Sequence, residues 1–355
     1  MALPLPTEDL NLILAKTRPL WREMRGKKIF ITGGTGFFGC WLVESFVHAN
    51  RVLELGACAT ILTRDPVAFA SKCPHLAFDP AIDLLAGDVL DFTWPDGDFE
   101  FAIHAVTETA ARRTAGNALQ LLTTMVSGTE RVLEFAASHR TRKLLLTSSG
   151  AVYGKQPADV NHIPEDFAGA PNPLDSASAY AEGKRAAELV CAVLGAKSGI
   201  ECKIARCFAF VGPHLPLDAH FAIGNFIRDA LAGKAIEIGG DGTAMRSYMY
   251  AADLAIWLWT ILFRAPALEA FNVGSEEALS ILELAHAVAE ALGSSAEVRV
   301  AQQAIPGAEP QRYVPCVRKA EQSLGLKCEV TLHDAIRRTA AWHKLCLAET
   351  PPADK

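Results

Sequence analysis

Residues 27–39, KKIFITGGTGFFG, decide the fold. Ile29, Phe30 and Ile31 form a short apolar run of β type. Gly33, Gly36 and Gly39 follow at intervals of three, and Trp41, Leu42, Val43, Phe46 and Val47 then recur at helical spacing. A buried strand, a tight glycine turn and a helix therefore succeed one another without a break. Residues lacking Cβ accept positive φ and let an anionic group lie against backbone N–H groups at the positive end of a helix. That arrangement suits the pyrophosphate of a dinucleotide, and the correct pattern on both flanks separates it from a plain strand-to-helix connection.

Working outward, residues 59–63 (ATILT) read as a second strand and 82–86 as a third, followed by Gly87 and Asp88. Residues 99–105 (FEFAIHA), 143–147 (KLLLT), 201–205 and the region around 271–273 supply further strands. Helical segments separate them, with the longest at 117–138 and 177–197. Strands alternating with helices imply right-handed crossovers and a parallel sheet covered on both faces. The expected fold is thus α/β, a doubly wound Rossmann-type sheet. After Arg206 proline and glycine become more frequent (VGPHLPLD, GGDGT, IPGAEP), which marks a smaller mixed α/β lobe near the C-terminus. The expected division is 1–26 as an N-terminal extension, 27–206 plus about 251–275 as the dinucleotide-binding domain, and 207–250 plus 276–348 as the substrate lobe. Within the extension, residues 9–16 have helical character, suited to covering a domain edge or a dimer surface.

A chain of 355 residues with formal net charge −6 can bury a large core and has no general attraction for nucleic acid or anionic membrane. The nine cysteines, at 40, 58, 73, 191, 202, 207, 316, 328 and 346, form no CxxC pair and no His/Cys ligand spacing. A reduced, cytoplasmic protein without a structural metal is expected. No stretch reaches the ~20 apolar residues of a membrane span.

Tyr180 and Lys184 in SAYAEGKRAAE stand four apart, on one face of a helix. An ammonium nearby favours a phenolate, and such a tyrosine can take a proton from a hydroxyl, or return one, while hydride moves. Upstream, LLLTSSGAVYG ends a buried strand in hydroxyls at the sheet's carboxyl edge, where open α/β sheets bind ligands.

TGGTGFFG resembles the TGxxGxxG turn of the short-chain dehydrogenase/reductases, in particular their extended class, the NAD-dependent epimerase/dehydratase family that modifies nucleotide sugars. The resemblance covers roughly residues 27–345. It implies that Gly33, Thr35, Gly36, Phe37, Phe38 and Gly39 hold the cofactor pyrophosphate, with Asp88 and Val89 at the adenine and His104 and Thr107 beside the nicotinamide ribose. His104 equally suits a satisfied core position. Where NAD-preferring relatives end the second strand with an acid, this chain has Thr63, Arg64 and Asp65. Either Arg64 meets a 2′-phosphate, as in NADP enzymes, or it stacks on adenine while Asp65 takes the ribose.

By the same resemblance Ser149 holds the reacting sugar oxygen, with Ser148 as the alternative. Asn225, Arg246 and Arg312 contact a nucleotide diphosphate, and the two longest helices pair with a second subunit as a homodimer. The family's dehydratases and decarboxylases carry acids just after the hydroxyl, where this chain has Gly150 and Ala151. Epimerisation at C4 is therefore expected, with NAD as cofactor and NADP possible. The alternatives are a 4,6-dehydratase or decarboxylase recruiting Glu108, an NADPH-dependent ketosugar reductase, and a non-catalytic dinucleotide-binding regulator.

Overall fold

The fold was determined as a computed structural model, and the structure describes residues 2–106, 117–219 and 221–348. Seven strands form one sheet: β1 (Lys28–Thr32), β2 (Cys58–Thr63), β3 (Ile82–Ala86), β4 (Phe101–His104), β5 (Lys143–Ser149), β6 (Glu201–Cys207) and β7 (Ala270–Val273). Their order is β7-β6-β5-β4-β1-β2-β3, and every pairing is parallel. Such strands are buried on both faces, which is why Ile29, Phe30 and Ile31 read as a continuous apolar run and are fully enclosed. The chain winds outward through β1, β2 and β3, then returns to the other side of β1 with β4. The strand order thus reverses between β1 and β4, and a crevice opens beyond their carboxyl ends.

The sheet matches the expected α/β doubly wound fold. β5 and β6 run two residues past the expected ends, reaching the rung Ser149–Cys207. β4 is shorter than 99–105. The Phe99 amide is spent on the His139 carbonyl (2.9 Å), outside the ladder, and the chain leaves the sheet after Ala105 N bonds Thr32 O (3.1 Å).

Between β6 and β7 lies the helix Ala251–Arg264, whose residues from Ala251 to Phe263 are all buried. A helix apolar all round must be covered all round. The sheet covers one side; the helix Thr7–Thr17 and the following turn Arg18–Met24 pack against it from outside. Trp21 meets Trp259 at 4.7 Å, and Trp259 Nε1 donates to Ser45 Oγ (2.9 Å). Asp9 is buried between Tyr250 Oη and Arg338 Nη1, each donating at 2.6 Å. The N-terminal segment is therefore an integral outer layer of the core. Asp253 accepts from the amides of Glu329 (3.0 Å) and Val330 (3.1 Å), and burial pushes its carboxyl up to about 6.

Beyond β6 the strands are short. Met245–Arg246 lies between Leu279–Ser280 and Arg312–Tyr313, and Ile236–Ile238 pairs with Val298–Val300. Among the described residues no helix is long and apolar enough to cross a membrane.

Gly39 sits in the first turn of the helix Phe37–Val52, where a Cβ would lie 2.3 Å from Gly33 O and 2.3 Å from Gly34 C. Helix propensity alone favours alanine there by ~0.8–1.0 kcal/mol. Backbone overlap outweighs it, and Gly39→Ala is expected to lose about 1–3 kcal/mol in urea unfolding. An unchanged or raised midpoint would contradict this packing.

Candidate active site

The glycine turn closes tightly on one side and stays open on the other. Gly33 has φ +72°, and a Cβ there would lie 2.4 Å from Ala105 O, so the exits of β1 and β4 touch backbone to backbone. Gly36, exposed at the N-cap of the helix Phe37–Val52, meets nothing nearer than Gly33 O at 3.5 Å. No side chain caps this helix, so its first amides face the open space. A glycine-lined hollow at an uncapped helix N-terminus fits a pyrophosphate, and hence a dinucleotide such as NAD. Thr35 and Phe37 flank it, and Phe38 rests edge-on against Phe210 at 5.0 Å.

At the end of β2, Arg64 is exposed. Asp65 accepts from Ala68 N (2.8 Å) as the N-cap of the helix Pro66–Lys72, which commits one of its oxygens to the fold. Asp88 Oδ1 accepts from Leu90 N (3.0 Å), so this carboxylate also holds its own turn. Val89 is buried against Gly128, where a Cβ would come within 3.0 Å of it.

His104 ends β4 with both ring nitrogens engaged. Nδ1 lies 2.7 Å from Thr32 Oγ1 and Nε2 3.1 Å from Thr129 Oγ1. Thr129 spends its own proton on Met125 O (2.6 Å), so it accepts from His104 Nε2–H, and Thr32 donates to Nδ1. Burial, reinforced by the Lys184 charge, pulls the imidazole down to about 3 and keeps it neutral. His104 is a satisfied core residue bracing β1, β4 and the helix Ala118–Ser138. Thr107 and Glu108 lie outside the described residues.

The helix Ala179–Ser198 presents Tyr180, Lys184 and Glu188 on one face at successive intervals of four. Lys184 is buried, and its Nζ donates to Thr147 O (2.7 Å). Glu188 Oε1 accepts from Ser148 Oγ (2.5 Å), and its carboxylate accepts from Arg206 Nη2 (2.7 Å) and Nε (3.1 Å). Ser148 is thereby tied to the helix side of β5. Ser149 Oγ instead accepts from Ala151 N (3.2 Å) and lies 3.4 Å from the Tyr313 hydroxyl. The structure thus separates the two serines, leaving Ser149 beside the crevice.

Arg206 continues the network into Tyr153 Oη (2.9 Å) and Glu165 O (3.0 Å); Tyr153 Oη donates to Asn272 Oδ1 (2.8 Å). Burial pushes the Tyr153 phenol up to about 12, so it serves as a neutral donor. Glu188, Arg206 and Tyr313 escaped the sequence reading. Glu188 had one available signal, its place one further helical repeat beyond Tyr180 and Lys184.

Just after Ser149, a Cβ on Gly150 would lie 2.6 Å from Phe208 Cζ, and the Phe208 ring packs on Tyr313 at 4.7 Å. An aromatic wall fills the place where an acid would stand. Strand register sets Tyr313 opposite Arg246, which brings Arg246 to the site's border; Arg312 is opposite Met245. Arg246 Nη1 donates to Met245 O (2.8 Å). Asn225 lies on the helix Ala222–Leu231 and accepts from Arg228 Nη1 (3.4 Å).

Residues 29–274 match a family described as the NAD dependent epimerase/dehydratase family. The chain is 28% identical over 317 residues to UDP-glucuronic acid decarboxylase 1 of Xenopus tropicalis, covering 89% of this chain and 72% of that protein. It is 29% identical over 309 residues to UDP-glucuronic acid decarboxylase 5 of Arabidopsis thaliana, covering 87% of each. Among solved structures it resembles the dTDP-glucose 4,6-dehydratase DesIV of Streptomyces venezuelae, solved with NAD bound (TM-score 0.76, 23% identity, 92% of this chain and 99% of that chain). It also resembles UDP-glucuronic acid 4-epimerase of Bacillus cereus in complex with UDP-glucuronic acid and NAD (TM-score 0.74, 23% identity, 90% and 99%). The structural likenesses show the fold.

The state of His104 has a measurable consequence. Its folded pKa of about 3 lies below the ordinary 6.5, so below pH 6.5 the unfolded chain binds a proton that the folded chain refuses. This group's share of stability therefore falls as pH drops from 6.5 toward 3. In His104→Gln the slope of unfolding free energy against pH near pH 5 should be shallower by one proton, roughly 1.4 kcal/mol per pH unit. Equal slopes in the two proteins would show that His104 is not held neutral.

Proposed function

Because the chain belongs to the NAD dependent epimerase/dehydratase family, we propose that it oxidises and re-reduces C4 of a nucleotide-diphosphate sugar and acts as an epimerase. The observation that carries this reading is the pair Tyr180 and Lys184 on one helix face, with Lys184 anchored on Thr147 O, and Ser149 two residues further along that strand beside a wall made of Gly150, Phe208 and Tyr313. Bound NAD supplies a hydride acceptor that later returns the hydride. The protein's own part is proton handling and orientation. Tyr180 Oη takes the proton from the sugar O4 as C4 is oxidised, and Ser149 Oγ hydrogen-bonds the same oxygen. Lys184, anchored on Thr147 O, keeps a positive charge beside the phenolate. On the return step Tyr180 gives the proton back, and presenting the opposite face of the ketosugar yields the C4 epimer.

Loss of water from C6 needs a further acid close to the reacting carbons. Of the two positions after Ser149 that would supply it, 150 faces the Phe208 ring and 151 is alanine, which favours hydride-and-one-proton chemistry over dehydration. Arg246, Arg312 and Asn225 are proposed to hold the diphosphate through bidentate and amide contacts. Arg64, the exposed charge at the end of β2, is proposed to lie over the adenosine end of the cofactor. The helices Ala118–Ser138 and Ala179–Ser198 expose Leu119, Leu189 and Val193, which supports a homodimer through these two helices. Buried thiols such as Cys191, Cys202 and Cys207 support a reducing, cytoplasmic setting.

A second reading is decarboxylation of a nucleotide uronate, favoured by the curated relatives named as UDP-glucuronic acid decarboxylases. Oxidation at C4 makes the uronate a β-keto acid. Carbon dioxide would then leave with the bonding pair drawn toward the C4 oxygen, which Ser149 and Tyr180 would face; C5 takes up a proton, and return of the hydride to C4 with a proton from Tyr180 gives the nucleotide pentose.

UDP-glucose and UDP-glucuronate, supplied separately to the purified protein, separate the two. A C4 epimer without gas release supports the epimerase, whereas carbon dioxide and a nucleotide pentose establish the decarboxylase. In either case Tyr180→Phe should lower turnover by about 10²–10⁴-fold while the cofactor stays bound; undiminished turnover would remove Tyr180 from the chemistry.

A further inference from the structure

Three residues far apart in sequence meet beneath the glycine turn. Cys40 lies in the first turn of the helix Phe37–Val52, and Cys73 joins the helices Pro66–Lys72 and Pro74–Ala77. His214 sits in the loop after Val211, fastened to the first of these helices by Trp41 Nε1 donating to Pro213 O (2.9 Å). All three are buried, and their Sγ and ring nitrogen atoms lie within 4.8 Å of one another. Neither nitrogen of His214 has a hydrogen-bond partner among the described residues, although the residue is only 6% exposed. It also adopts φ +69°, an uncommon conformation for a residue with a side chain. A buried imidazole with no partner is costly to the fold, which sets it apart from the fully bonded His104.

We propose that Cys40, Cys73 and His214 form a binding site for a thiophilic divalent cation of the zinc class. Two thiolates and one neutral imidazole are a donor set that zinc favours, and two negative charges cancel the ion's two positive ones. The occupied site is therefore electrically neutral, as its burial requires. Binding replaces the two thiol protons, which leave to solvent, and gives one His214 nitrogen the partner it lacks. Zinc–sulfur bonds near 2.3 Å and zinc–nitrogen bonds near 2.0 Å imply donor separations of roughly 3.5–3.8 Å in a tetrahedral site. The present spacing is at most about 1.3 Å wider, a contraction within reach of side-chain rotation. Water completes the four ligands. The ion would pin together the helix that opens at the glycine turn, the segment after β2 and the loop after Val211. The site has no local spacing signature, because its ligands come from positions 40, 73 and 214.

Cobalt(II) tests the proposal on the full-length protein, purified under reducing conditions and stripped of metal. One equivalent should bind with thiolate-to-cobalt charge-transfer bands in the near ultraviolet and the strong visible bands of a tetrahedral site, and zinc should displace it. Cys73→Ser should weaken the charge-transfer bands, and the double substitution Cys40→Ser, Cys73→Ser should abolish them. Cys191→Ser, which alters a buried cysteine remote from the cluster, should leave them unchanged. His214→Asn provides a second probe, since asparagine tolerates positive φ, and far-ultraviolet circular dichroism verifies folding; its cobalt affinity should fall at least tenfold. Absence of thiolate bands in the wild type, or bands unchanged in Cys73→Ser or persisting in the double substitution, would overturn the proposal. So would a Cys40–Cys73 disulfide, found by mass spectrometry, that forms in air even with stoichiometric zinc present.

Discussion

One hydrogen bond sets the geometry on which the rest of the site depends, that from the buried ammonium of Lys184 to the carbonyl of Thr147. It locks the rotation of the helix Ala179–Ser198 about its axis at the end of β5. Residues four apart share a helix face, so fixing Lys184 also fixes Tyr180 above it and Glu188 below. Glu188 repeats the attachment one turn further on, through Ser148, the residue next to Thr147. Successive strand residues point to opposite faces, so committing Ser148 to the helix turns Ser149 toward the crevice. The tyrosine and the serine are thereby oriented by the same two anchors. The pair Glu188–Arg206 is largely enclosed, and such a pair is a strong constraint mainly because losing either partner strands a buried charge.

The sheet edge that carries these groups is held from behind by a different kind of constraint. The helix Ala251–Arg264 offers apolar side chains in every direction, and the sheet can cover only one side. Residues preceding β1 close the other side with Trp21, Leu14 and Ile13, each buried. Asp9 then joins Tyr250, at the start of this helix, to Arg338 in the last helix. The N-terminal segment, the crossover helix and the C-terminal helix form one block behind β5 and β6.

The fold was legible in the sequence because its signals are local. A buried parallel strand is a run of apolar residues, and the glycine turn needs its three glycines at a fixed spacing. The limits of β2, β3 and the helix Ala118–Ser138 fall within one residue of expectation for that reason. Tyr180 and Lys184 were legible on the same ground, four residues apart on one helix. What stayed hidden is what tertiary structure alone brings together. Tyr313 reaches Ser149 only through the pairing of two short strands, and Arg206 meets Glu188 only because β6 lies beside β5. For the N-terminal segment the sequence left a domain edge and a dimer surface both open, since helical character does not say what a segment covers. Asp65 and Asp88 show the opposite case: plausible ligand residues by position, each with an oxygen already engaged in capping its own backbone.

The short strand Arg312–Tyr313 ties Ser149 to Arg246. Its tyrosine reaches the hydroxyl of Ser149, and its parallel neighbour sets Arg246 on the same rung as that tyrosine. The spacing between Arg246 and the Ser149 hydroxyl is therefore set largely by backbone hydrogen bonds, which are stiffer than a pair of long side chains. The same tyrosine supports the Phe208 ring over Gly150. A carboxylate introduced at position 150 would have to displace that ring, and Tyr313 would lose its packing partner and its approach to Ser149. The aromatic wall and the placement of Arg246 are thus mechanically coupled. An acid at this point is incompatible with the present arrangement of the short strands, so the side chain tolerated at position 150 and the placement of Arg246 depend on one piece of backbone.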